Sequence, residues 1–197
     1  MSVAPLTILV VFGPQGSGKS TQVERLAKKL GLTIFEAGEV LRARAQVDEK
    51  IHQTLQQGEL VSDETMLGII DEFIAEHQSA SGYVFDGYPR NRDQFNDFLT
   101  IATNSRARTA GIFINLSDAS AKQRLAGRFT LVDGKRVTRE DDQPDIVQKR
   151  LETFKSETLP LKELFAQNFE LLEIDGEPSV DEVTKEIDEA VGKFLDS

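Results

Sequence analysis

Apolar residues along the chain fall into two recurring patterns. Short continuous runs at 6–12, 33–35, 83–86, 110–116 and 169–174 are rich in β-branched and aromatic residues, as strands covered on both faces tend to be. Between them the spacing changes to that of helices. Val23, Leu26, Ala27 and Leu30 share one helical face, and Gly31 is placed to cap its end. Leu67, Ile70, Phe73 and Ile74 predict a second helix. Ile146, Leu151, Phe154 and Leu161 predict a longer one, interrupted near Pro160. Val180, Val183, Ile187, Ala190 and Phe194 predict the last. Strand and helix in alternation predict an α/β chain whose parallel sheet is wrapped by helices.

One stretch breaks the alternation. "RFTLVDGKRVTR" reads as two short strands, 129–132 and 135–138, joined by Asp133-Gly134, a dipeptide that favours the two-residue type I′ turn. Strands this short are not stable alone. The segment is therefore expected to stand off the main sheet and to be mobile.

The strand–helix junction at the first run carries the strongest chemical signal. "GPQGSGKS" places Gly13, Gly18, Lys19 and Ser20 in the pattern G-x-x-x-x-G-K-[ST]. Such a loop curls so that backbone N–H groups point at phosphate oxygens, the following helix presents its positive end, the lysine reaches the β- and γ-phosphates, and the serine can orient hydrated Mg²⁺. A buried strand before it and an amphipathic helix after it are the context this motif requires. No N-K-x-D guanine motif occurs, which counts against a GTPase.

Length and charge narrow the partners. The 197 residues suit one domain with small insertions. The net charge of −10 argues against non-specific nucleic-acid binding. Against that background Arg124, Arg128, Arg136, Arg139 and Arg150 crowd one segment, a cluster suited to a small polyanion. No cysteine is present, which excludes a disulfide framework and a cysteine zinc site. The N-terminal apolar run is too short to span a bilayer and lacks a basic leader, so a cytoplasmic protein without membrane contact is expected. His52 and His77 fall in polar helical stretches and are expected to face solvent.

A second constellation lies in "YVFDGYPRNRDQ", residues 83–94. Asp86 ends a strand and would stand beside the phosphate loop if the two strands are neighbours, where a carboxylate helps organise hydrated Mg²⁺. Arg90 would face the carboxyl edge of the sheet, where ligands bind in such folds. Gln94 both donates and accepts, so it can pair with the N6/N1 edge of an adenine.

Taken with "AGEVLR", "GELVSDE", "RLAGR", "TREDD" and "KRLETFKSETLPL", these motifs occur in an order that resembles the adenylate kinases, within the nucleoside monophosphate kinase family, over nearly the whole chain. The resemblance implies a P-loop NTPase-type three-layer α/β fold with a five-stranded parallel sheet. Residues 1–35, 66–127 and 140–197 would form the core, 36–65 a small helical insertion that binds the monophosphate, and 128–139 a short β-hairpin lid. It implies transfer of the ATP γ-phosphate to AMP, giving two ADP, with Mg²⁺ as cofactor and a monomer as the working form.

The same resemblance implies roles for single residues. Gly16, Ser17, Gly18, Lys19, Ser20 and Thr21 resemble the ATP phosphate cradle, and Ser20 and Asp86 would hold Mg²⁺ largely through water. Arg128 resembles the arginine that stacks on ATP's adenine, with Arg124 and Val137 near it and Glu177 touching the adenine through its carbonyl. Arg42 and Arg90 resemble the arginines that grip AMP's phosphate. Ala37, Glu59, Leu60, Val61, Gly87 and Tyr88 would line the AMP site, and Gln94 would read its base. Arg139 and Arg150 resemble the arginines around the transferring phosphoryl group, so that Lys19, Arg90, Arg128, Arg139 and Arg150 form the catalytic set. Asp141 and Asp142 resemble the pair that latches the lid. The filled arginine positions argue against a nucleotide-binding module without turnover. Alanine at position 37, where adenylate kinases usually carry threonine, resembles the UMP/CMP kinases, which usually carry asparagine in place of Gln94. A pyrimidine monophosphate kinase is therefore the alternative.

Overall fold

A computed structural model describes residues 6–126, 130–132, 135–137 and 144–197. Five parallel strands form the central sheet: β1 (Thr7–Phe12), β2 (Thr33–Glu36), β3 (Gly82–Asp86), β4 (Arg108–Asn115) and β7 (Glu170–Asp175), in the order β2-β3-β1-β4-β7. Each of the five apolar runs is one of these strands. β1 lies at the centre, in register with β3 (Val11 opposite Asp86) and β4 (Phe12 opposite Phe113).

The period-two geometry of a strand sends alternate side chains to opposite faces, and the two faces hold different chemistry. Leu9 and Val11 of β1, Val84 of β3 and Ile112 and Ile114 of β4 pack against α1 (Lys19–Leu30) and α9 (Val180–Asp196). On the other face Ile8, Val10, Phe12, Phe35, Phe85 and Phe113 meet α4 (Asp63–Glu76), α5 (Arg92–Ser105) and α8 (Leu161–Asn168). That second face is aromatic: Phe165 lies 5.0 Å from both Phe12 and Phe95, ring centre to ring centre. Together the layers form the expected three-layer fold.

Local signals set the ends of the elements. α1 stops where Gly31 adopts φ 67° and donates its N–H to Ala27 O, the expected cap. α9 opens with a capping box between Ser179 and Glu182. Its buried face is Val183, Ile187, Val191 and Phe194, while Val180 stays exposed. In α4 Ile70 is buried and Phe73 and Ile74 pack against the same core, as expected; Leu67 is only half-buried, and Met66 and Ile69 complete the buried face. The expected break near Pro160 is present: α7 (Pro144–Thr153) widens into a π-helical turn, Phe154–Thr158, before α8 begins after Pro160.

Between β2 and β3 lie α2 (Ala37–Arg44), α3 (Glu49–Gln56) and then α4. After α6 (Asp118–Ala126), the strands β5 (Thr130–Val132) and β6 (Lys135–Val137) pair antiparallel in a separate two-stranded sheet, with Thr130 opposite Val137. This is the expected hairpin, and its Asp133-Gly134 turn falls outside the described residues. The two histidines differ from expectation, for both are half-buried. Phe73 explains His77, whose ring centre lies 4.5 Å from the phenyl centre and whose Nδ1 is 2.8 Å from Phe73 O. No helix among the described residues is long and apolar enough to cross a membrane.

Candidate functional site

The carboxyl edge of the sheet gathers the sequence motifs. The loop after β1 is pressed between other elements: a Cβ on Gly13 would lie 2.4 Å from Ile114 O, and one on Gly16 3.0 Å from Ala121 O. Only glycine allows that approach of loop to strand and helix. Lys19 Nζ donates to Gly13 O and Pro14 O, each at 2.9 Å, which holds the ammonium over the loop. Ser17 is buried and Thr21 exposed. Because β1 and β3 are neighbours, Asp86 emerges beside the first turn of α1, and Ser20 Oγ donates to Asp86 Oδ2 at 2.7 Å.

That hydroxyl–carboxylate pair bears on the metal. Its donors are oxygens only, the set hydrated Mg²⁺ accepts. Among the described residues no group of three or more His, Asp or Glu could hold an ion by itself. The pair therefore fits an ion whose remaining ligands are water and phosphate.

Glu177 ties the turn between β7 and α9 to the start of α6. Its carbonyl accepts from Arg124 Nη2 at 3.0 Å. Its carboxylate accepts from Ser120 Oγ at 2.6 Å and Ser117 N at 2.9 Å. Those bonds, the Ser120 hydroxyl first, hold its carboxyl down to about 2. The sequence reading named Arg124 and Glu177 but not the two serines, whose only signal was an ordinary Ser-Asp helix start.

On the far side a cleft is lined by Leu41, Leu55, Glu59, Leu60, Val61, Met66, Arg90 and Gln94. Five of these stand among the sequence-predicted residues of the monophosphate site; Leu41, Leu55 and Met66, which the sequence did not single out, add apolar wall. Ala37 and Tyr88 lie behind the wall. Ala37 is wholly buried at the start of α2, and Tyr88 packs among Phe35, Phe85 and Phe98. The Tyr88 hydroxyl is buried and has no hydrogen-bond partner among the described residues, and burial pushes its pKa well above that of an ordinary phenol.

Arg90 is held at three backbone-linked points. Its Nε donates to Gly87 O at 2.8 Å, its N–H to Gln94 Oε1 at 2.9 Å, and its carbonyl accepts from Thr158 Oγ1 at 2.7 Å. Burial lowers its pKa; Asp86 opposes that shift, and Arg150 and Arg42 add to it. The three guanidinium groups thus share one electrostatic neighbourhood, which is the requirement for gripping a polyanion. Arg42 also lies 3.5 Å from Glu36 Oε1. Arg150 approaches the insertion, its Cγ lying 3.6 Å from where a Gly58 Cβ would be, and the neighbouring Lys149 pairs with Glu59 at 2.9 Å.

Three further residues were missed. Thr158, at the end of the π turn after α7, donates to the Arg90 carbonyl. Asp63 accepts from Asn91 Nδ2 at 2.8 Å and Gln94 Nε2 at 2.9 Å. Nothing local marks either contact, since each joins residues far apart in the chain. Arg128, Arg139, Asp141 and Asp142 lie outside the described residues, and Val137 is described only as a backbone position in β6.

Residues 11–170 match a family model described as adenylate kinase. An adenylate kinase of Xanthomonas campestris pv. campestris (strain B100) is 34% identical over 190 residues, covering 94% of this chain and 99% of that protein. One from Xanthomonas oryzae pv. oryzae (strain MAFF 311018) is 33% identical with the same coverage. One from Phenylobacterium zucineum (strain HLK1) is 32% identical, covering 93% and 96%.

Proposed function

The chain belongs to the adenylate kinase family, and from that premise we propose how its residues divide the reaction ATP + AMP → 2 ADP. The observation that carries the division is the shared edge of the sheet: the phosphate loop with Lys19 and the Ser20–Asp86 pair on one side, and the cleft with Arg90 and Gln94 on the other.

The loop at Gly16–Thr21 cradles the ATP phosphates, with Lys19 turned from Gly13 O and Pro14 O onto them. Mg²⁺ arriving with ATP would be held by Ser20 and, through water, by Asp86, and supplies charge neutralisation of the phosphates. Glu177 O and Arg124 border the adenine. Across the edge Arg90 and Arg42 grip the AMP phosphate, Arg150 stands beside the phosphoryl group in transit, and Gln94 reads the base against the Leu60–Val61 wall. Residues 36–65 act as the monophosphate-binding insertion and 128–139 as the lid, bringing Arg128, Val137 and Arg139 over ATP.

No protein nucleophile is needed. Phosphoryl transfer spreads negative charge over the equatorial oxygens, so positioned cations supply most of the catalysis. Exclusion of water by a closed lid keeps the phosphoryl group for AMP.

Substrate choice rests on Gln94, whose amide contacts a base at two points. Ala37 favours the pyrimidine reading, since it lacks the hydroxyl adenylate kinases usually carry there. A coupled assay with MgATP and AMP, CMP, UMP, dTMP or GMP in turn tests the choice: AMP is expected to give the highest kcat/KM. Preference for UMP or CMP would overturn the AMP reading and leave the kinase reading standing.

A further inference from the structure

The Gln94 amide is not free to turn. The Arg90 N–H needs an acceptor, so the atom 2.9 Å from it is the amide oxygen; the Asp63 carboxylate needs a donor, so the atom 2.9 Å from it is the amide nitrogen. Asn91 is locked in the same manner: its Oδ1 accepts from Gln94 N at 2.8 Å, which leaves Nδ2 to donate to Asp63 Oδ1. Asp63 Oδ1 thus receives two N–H groups, one from each amide. Gln94 is almost wholly buried, so a flip would set its oxygen against the carboxylate and its NH₂ against the Arg90 N–H, with no water to relieve either.

Orientation decides what the amide can read. Its free capacity is one N–H and one oxygen lone pair, in a fixed order. Adenine offers an amino donor beside a ring acceptor; guanine offers an oxo acceptor beside a ring donor. A freely turning amide serves either base, whereas a locked one serves one order and repels the other.

We propose that Asp63 is a positioning residue that locks Gln94 in the sense accepting amino-bearing bases and rejecting oxo-bearing ones. Asp63 begins α4, within the segment between β2 and β3, while Asn91 caps α5 and Gln94 stands in its first turn. The lock therefore ties two parts of the chain across the cleft wall. The inference rests on the reading of this cleft as the AMP site.

The test uses the full chain with Asp63→Ala and Asp63→Asn, after thermal melts show that both are folded. The readout is the ratio of kcat/KM for AMP to that for GMP, with the CMP to UMP ratio beside it. Asp63→Ala should lower the AMP/GMP ratio by about tenfold or more, with the AMP loss carried by KM rather than kcat. Asp63→Asn keeps a carbonyl acceptor and should retain the wild-type ratio within about threefold. An unchanged ratio in Asp63→Ala, or AMP and GMP falling together by one factor, overturns the lock. If Asp63→Ala does not fold, Asp63→Ser is too short to reach Gln94 and is read by the same ratio. A wild type that prefers UMP refutes both the AMP reading and the lock. One that prefers CMP refutes the AMP reading alone, and the CMP/UMP ratio then tests the lock.

Discussion

Gly87 offers the sharpest test of how the site is held. Its φ is 78°, a region that costs a residue with a side chain about 1–2 kcal/mol. A Cβ there would also lie 2.7 Å from Arg90 Nη2 and 3.4 Å from Arg90 Nε. The guanidinium is the end of a flexible side chain, so it would move, and the Nε bond to Gly87 O at 2.8 Å would be lost. That bond is worth about 1 kcal/mol or somewhat more, being charge-assisted. Gly87→Ala should therefore lose about 2–3 kcal/mol, or roughly 4–12 °C in Tm for a chain of this size. The functional cost should be larger than the stability cost suggests, because misplacing a phosphate-binding cation by about 1 Å can lower the rate about a hundredfold.

Gly31→Ala supplies the comparison. Gly31 has φ 67°, and a Cβ there meets nothing within 4 Å among the described residues, so its substitution by alanine carries the backbone strain alone. In a coupled spectrophotometric assay at saturating MgATP, Gly87→Ala should show kcat/KM for AMP down by about 10- to 100-fold, and Gly31→Ala should match the wild type. A Gly87→Ala variant with wild-type kcat/KM would refute the placement of Arg90 at the AMP phosphate.

Other expectations follow from single contacts. Thr158→Val leaves the Arg90 carbonyl without its 2.7 Å donor and should cost about 1–3 kcal/mol by chemical denaturation, with Thr158→Ser restoring both stability and AMP turnover. Glu177 titrates near 2 in the fold rather than at its ordinary 4.5, so its stabilisation is complete above about 4.5 and is lost as pH falls through 4.5 toward 2. Glu177→Gln should accordingly flatten the fall of Tm over that window, and an unchanged slope would show that its bonds to Ser117 and Ser120 do not favour the ionised form. Ala37→Thr adds two heavy atoms where Ala37 is wholly buried and should cost about 1–3 kcal/mol; a raised Tm would reveal unfilled space behind the cleft wall.

What could be read from the chain alone was whatever is encoded in short range. The central strands announce themselves because burial on both faces demands continuous apolar runs, the edge strands β2 and β7 through their short apolar stretches, and the phosphate loop because its glycines and lysine must be adjacent in sequence to curl around phosphate. The hairpin was legible from Asp133-Gly134 and its flanking apolar residues, and the break near Pro160 from one missing N–H. Contacts between distant residues had no such signature. Ser20 meets Asp86 only because β3 lies beside β1 in this strand order. Met66, Leu41 and Leu55 carry no mark in the sequence, and only the packing of α2, α3 and α4 sets them in the cleft wall. Thr158 reaches Arg90 through the π-helical widening of α7, and Gln94 is oriented by an aspartate 31 positions earlier. The sequence by itself determined which groups can bind phosphate and base. Tertiary structure alone decided which of them are neighbours and which way they face, because direction and distance come from the register of strands and the packing of helices.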